Sequence, residues 1–170
     1  MKTLLFSFVL LFCAGLLCAQ TSVTPKNTLP LPKAISSAKA VFLNTIDPAV
    51  TGITFATIKQ PTGDKLRVTG KVKNIGGKNY VSSDNQQIVQ LWEIRSATSK
   101  LKLKEIPFRV LNAGQEITLS IELPAIKPGT EFPPDYQVVI VYDPDIYIDA
   151  NKNNDDARSD NNSHTKNPFN

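Results

Sequence analysis

Three stretches of the chain keep the same two-residue beat: KLRVTGKVKN at 65–74, QIVQLWEI at 87–94 and EITLSIEL at 116–123. In the first, Leu66, Val68, Gly70 and Val72 alternate with Lys65, Arg67, Thr69, Lys71 and Lys73. Only an extended strand turns successive side chains to opposite faces, so each stretch can bury one side and wet the other. No stretch of useful length repeats at the helical period. The runs are separated by PTGD (61–64), NIGG (74–77), NAGQ (112–115) and the proline-rich PAIKPGTEFPPD (124–135), residues that favour turns over packed structure. Strands of this number and spacing predict an all-β fold, an antiparallel immunoglobulin-like β-sandwich of about seven strands. NIGG is expected to end its strand with residues that tolerate positive φ.

Position within the sheets follows from the pattern of each run. YQVVIVYD at 136–143 is the most apolar run after the N-terminal segment, which predicts a central strand. KLKLKEI, from Lys100, alternates lysine with leucine and meets Pro107 soon after, a combination suited to a protected edge. Trp92, the only tryptophan, is expected in the core because of the apolar area it brings.

Residues 1–19 combine Lys2 with an apolar run from Leu4 to Leu17, the pattern of a secretory signal peptide, with cleavage expected after Ala19. A lipoprotein anchor is the rival reading, but Cys18 follows Leu17 and Cys13 follows Phe12, where a small residue is needed. Cleavage removes both cysteines, so the exported chain forms no disulfide and packing alone must hold it. Residues 20–37, with Pro25, Pro30 and Pro32, read as an extended leader. The sandwich is expected over 38–162 and a frayed tail over 163–170. The net charge is +4, with a basic body and an acidic C-terminal stretch. The lysines are scattered and match no nucleic-acid reading motif, and no apolar run follows that would span a membrane. The expected address is the periplasm, the cell surface or the medium.

GKVKNIGGKN (70–79), VLNAGQEITLSI (110–121) and YQVVIVYDPDIYIDANKNN (136–154) together resemble the cell-adhesion-related domain found in bacteria, CARDB. That family has a strand ending in an Asn-x-Gly corner, an Ala-Gly turn before a strand, and a late strand leading into an acidic, Asn-Asn-rich corner. The resemblance spans about Ile53 to Asn162. It implies an immunoglobulin-like or fibronectin-III-like module of the bacterial cell envelope, acting on a protein or glycan partner. Such modules usually close with a strand after the Asn-Asn corner, where this chain has only SHTKNPFN. Either AVFL (40–43) takes that place, or the sheet keeps an open edge beside YQVVIVY to which a partner strand could add.

Residues 143–162 crowd together six aspartates and five asparagines. Asp149, Asn151, Asn153 and Asp160 fall at positions 1, 3, 5 and 12 of a calcium loop, yet position 6 is Asn154 where such loops need glycine. A looser calcium cage from Asp149, Asn151, Asn153 and Asp155 is the alternative, in a calcium-stabilised adhesion or carbohydrate-binding domain. Against both stands a purely structural reading, since Asp and Asn fold back on their own backbone in turns. No other cofactor is indicated. His164, the only histidine, lies in the terminal segment, and no set of residues supplies the roles that a hydrolase requires, so a non-catalytic module is expected.

Overall fold

The computed structural model describes residues 44–169. The signal segment, the leader and AVFL lie outside the described residues. Among the described residues nine strands follow in order: β1 (Pro48–Ile58), β2 (Lys65–Asn74), β3 (Tyr80–Val81), β4 (Gln87–Ile94), β5 (Lys100–Pro107), β6 (Val110–Leu111), β7 (Glu116–Pro124), β8 (Asp135–Tyr142) and β9 (Ser163–Lys166). All pairings are antiparallel. One sheet runs β1-β2-β7, a second runs β5-β4-β8-β9, and β3 with β6 forms a two-stranded ribbon. The all-β expectation holds, and the described residues contain no α-helix.

The alternating runs bury the faces their pattern dictates. In β2, Leu66, Val68, Gly70 and Val72 are buried, and the register sets Val68 opposite Ile121 and Gly70 opposite Leu119. On the facing sheet, Val89 and Leu91 of β4 pair with Ile140 and Val138 of β8, all four buried. One apolar cluster joins both sets. The sheets meet closely at Gly70, where a Cβ would collide with Cγ2 of Val138. Beside this contact the Phe55 ring lies 5.5 Å from that of Tyr136, tilted by 58°.

β8 is central, with β4 on one side and β9 on the other, and β5 is an edge, as read from the sequence. Two expectations are corrected. Trp92 is not core: burial follows the Gln87–Val89–Leu91–Glu93 set, so the alternation turns Trp92 to the half-exposed face, where its Nε1 donates to Gln90 Oε1 at 3.1 Å. The C-terminal segment does not fray over 163–166 and the edge beside 136–139 is not open, because Ser163–Lys166 pairs with Tyr136–Val139. Gln137 Nε2 donates to Ser163 Oγ at 3.0 Å, Asn167 Nδ2 to Asp135 Oδ1 at 2.8 Å, and the Lys166 ammonium lies 6.0 Å from the Phe55 ring centre. An outer strand wets its outward face and needs few apolar residues, which hides it from a hydrophobicity pattern.

The NIGG corner ends β2, as expected, but without positive φ. Positive φ occurs at Gly63, Asn85, Gly114, Gly129 and Ala150, none of them in 74–77. Asn74 holds the corner instead. Fully buried, its Oδ1 accepts from Asp47 N at 3.2 Å and Gly76 N at 3.1 Å, while its Nδ2 donates to the carbonyls of Lys78 and Leu111, each at 2.8 Å. Gly76 is required for space: a Cβ there would run into the backbone of Thr45 and Asp47.

Tyr80 and Tyr142 meet at the ribbon end of the core, and Tyr136 lies at the opposite end of β8 beside Phe55. Tyr80 donates to Gln87 Oε1 at 2.9 Å, with its ring 5.3 Å from Phe108 and 6.2 Å from Tyr142. Burial, before any other cause, pushes the Tyr136 phenol from 10.0 up to about 12, and raises Tyr80 and Tyr142 further. A pKa raised by folding contributes stability that is whole below pH 10 and is lost as pH climbs through the folded value. Alkaline titration is therefore expected to unfold the protein cooperatively above pH 10, with phenolate absorbance and loss of circular dichroism moving together. Phenolates appearing near pH 10 with the dichroism intact would contradict this packing.

Candidate functional site

The chain leaves β8 through a corner built on short polar side chains. Asp143 Oδ1 accepts from Asp145 N at 3.0 Å and starts a single 3₁₀ turn, Pro144–Tyr147, anchored by buried Ile146. Tyr147 and Ile148 then project outward, 60% and 80% exposed. Asp149 accepts from Asn151 N at 2.7 Å and from Asn154 Nδ2 at 2.8 Å. Those donors, the Asn154 amide first, hold its carboxyl below the ordinary carboxylate value. Asn151 Oδ1 accepts from Asn153 N at 3.1 Å, so two successive side chains fold back on their own backbone.

This corner is tied to the ribbon. Val81 N donates to the Asn153 carbonyl at 2.8 Å, Asn151 Nδ2 donates to the Val81 carbonyl at 3.0 Å, and Asn154 Nδ2 reaches Ser82 Oγ at 3.2 Å. Val81 faces Val110 across the ribbon, and the two are 42% and 46% exposed. Tyr147 lies close enough to Tyr80 and Tyr142 to act electrostatically on their hydroxyls. One end of the sandwich thus presents apolar side chains on a polar, hydrogen-bonded frame.

Of the residues singled out for calcium, Asp149, Asn151 and Asn153 share this turn, Asp149 and Asn151 spending side-chain oxygens and Asn153 its main-chain carbonyl on hydrogen bonds. Asp155 is exposed, and Asp160 receives Arg158 through Nε at 3.2 Å and Nη2 at 3.0 Å, which lowers its carboxyl pKa. Among the described residues no three carboxylate, imidazole or thiol groups converge as metal ligands. His164 is exposed on β9 opposite Val138.

A second polar group lies where the corner returns to β1. Asp47, fully buried, receives Asn161 Nδ2 on Oδ1 at 2.7 Å, and Ala157 N bonds the Ile46 carbonyl at 2.9 Å. Asp156 receives Asn162 Nδ2 at 2.7 Å, Tyr142 Oη at 3.3 Å and Arg158 N at 3.0 Å. Burial first, and then the Asp47 charge, push the Asp156 carboxyl above its ordinary value, against those hydrogen bonds. Asp47 Oδ2, Asn161 Oδ1 and Asn162 Oδ1 are buried without a hydrogen-bond partner, as is Asn154 Oδ1. Sequence reasoning passed over Asp47 because it lies in TIDPAV, far from the Asp/Asn run. The one available signal was a charged residue set among apolar ones.

No protein-family model matches the chain, and comparison with curated proteins finds no similar sequence. Among the described residues no helix is long and apolar enough to cross a membrane.

Proposed function

We propose that the chain is an exported, non-catalytic binding or adhesion module of a bacterial cell envelope, of the CARDB kind, that recognises a protein or glycan partner through the loop-borne end next to the ribbon. The observation that carries this reading is the exposure of Val81, Val110, Tyr147 and Ile148 on segments bonded to one another. Large apolar side chains held out on a rigid frame lose free energy by contact and little entropy on being ordered, the properties of an interaction surface. The orders β1-β2-β7 and β5-β4-β8-β9 support an immunoglobulin-like or fibronectin-III-like module, whose end loops commonly serve recognition. With β9 on β8, strand addition at residues 136–139 is replaced by loop recognition.

A photo-crosslinking residue at position 148 tests the surface in cells that secrete the protein. A discrete adduct is expected, and Val81→Asp should abolish it while leaving the thermal midpoint within a few degrees. The same residue at position 101, on the outer edge of β5, serves as the control. No adduct from 148, or the same adducts from 101, would overturn the reading.

A further inference from the structure

The outward face of the sheet β5-β4-β8-β9 carries the chain's only tryptophan on an inner strand. The register sets Lys102 of β5 and Gln137 of β8 on either side of Trp92, with Thr165 of β9 beyond Gln137. A string of bonds runs over this face. Trp92 Nε1 donates to Gln90 Oε1 at 3.1 Å, Gln90 Nε2 meets Glu105 Oε2 at 3.5 Å, Lys102 Nζ meets that same oxygen at 2.6 Å, and Gln137 Nε2 donates to Ser163 Oγ at 3.0 Å. Trp92 is half-buried and its one polar atom is spent, so what it offers outward is aromatic surface alone. Ile88 and Ile94 on the same strand, and Val139 opposite Gln90, extend the apolar ground on either side of the indole.

The geometry points to this face as a binding site for a neutral β-linked glycan laid over Trp92, separate from the loop-borne end. A peptide strand adds where main-chain groups are free, but those of β4 are spent on β5 and β8, so only side chains can bind here. A second copy would need about 800 Å² from each partner, whereas four strands about 4.8 Å apart and at most eight residues long cover about 500 Å². Charge gives an ionic partner no hold: Lys102 is paired with Glu105, and Lys100 is matched across β4 by Asp135, which already accepts from Asn167 Nδ2. The remaining chemistry is an aromatic surface fenced by amides and hydroxyls. A pyranose with equatorial substituents has the complementary arrangement, with C–H groups on its ring face to meet the indole and hydroxyls around its rim to meet Gln137 and Thr165. Glucose and N-acetylglucosamine in β-linkage both have this shape.

Because Trp92 is the sole tryptophan, its emission reports the site directly. Cellohexaose and chitohexaose are titrated separately into the purified protein, and at least one is expected to give a saturable shift to shorter wavelength as water leaves the indole. Trp92→Ala should abolish binding of that sugar in calorimetry. In case that variant folds poorly, Gln137→Ala keeps the fluorophore and should weaken binding about three- to tenfold, the loss of one neutral hydrogen bond. Val81→Asp, at the loop-borne end, should bind the sugar as the unaltered protein does. Emission unmoved by either sugar, binding that survives Trp92→Ala, unchanged affinity in Gln137→Ala, or loss of binding in Val81→Asp would each overturn the assignment. A shift that grows with protein concentration in the absence of sugar, together with dimers in sedimentation, would overturn it in favour of a second copy covering the face.

Discussion

Asn74→Ala is expected to destabilise the domain by about 3–5 kcal/mol, a large share of what a domain of this size has to lose. The side chain is fully buried and meets four main-chain groups, two N–H donors from Asp47 and Gly76 and two carbonyls from Lys78 and Leu111. Alanine strands all four, and each buried orphan costs about 1–3 kcal/mol before relaxation. Those groups also come from three parts of the chain: the entry to β1, the β2–β3 turn and the end of β6. The loss therefore loosens three elements that this one side chain joins. Equilibrium denaturation reads the effect as a lower midpoint at unchanged slope. Lys73→Ala, one residue earlier and only half-buried, should stay within about 0.5 kcal/mol. A loss below about 1 kcal/mol for Asn74→Ala would mean that water replaces the side chain's bonds.

Asn74 also marks where sequence reading stops. A strand's period declares itself through apolar positions, and β2, β4, β7 and β8 were legible because each buries one face against the opposite sheet. The lysine-leucine alternation of β5 was legible as an edge for the complementary reason. Hydrogen-bond hubs carry no periodicity. Asn74 and Asp47 are single polar residues whose partners are fixed only once the fold is complete, and in sequence each looks like a turn residue. Trp92 failed for another reason: area alone does not choose a face, and Val89 and Leu91 outvoted it. The Asp/Asn corner was recognised as a unit, but its division into a backbone-bonded turn at 149–154 and a carboxylate–amide group at Asp47 and 156–162 depends on β1 returning beside it.

Truncation after Asn162 separates a frayed tail from a structural strand. Removing a loose terminus costs nothing measurable, whereas removing β9 is expected to cost about 2–4 kcal/mol and to make the protein self-associate. The stability term follows from the main-chain pairing over Tyr136–Val139, together with the Gln137–Ser163 and Asp135–Asn167 side-chain bonds. Association follows from what is uncovered. β8 alternates buried Tyr136, Val138 and Ile140 with half-exposed residues, so without β9 a central apolar strand presents its unpaired N–H and C=O groups to solvent. Such an edge templates another chain. Light scattering and size-exclusion chromatography of the truncated protein should show dimers or larger species that disperse when a synthetic peptide SHTKNPFN is added, since the peptide restores the missing pairing. Unchanged stability and a monomeric profile would return the segment to a tail, and with it the open edge beside β8 would become available to a partner strand after all.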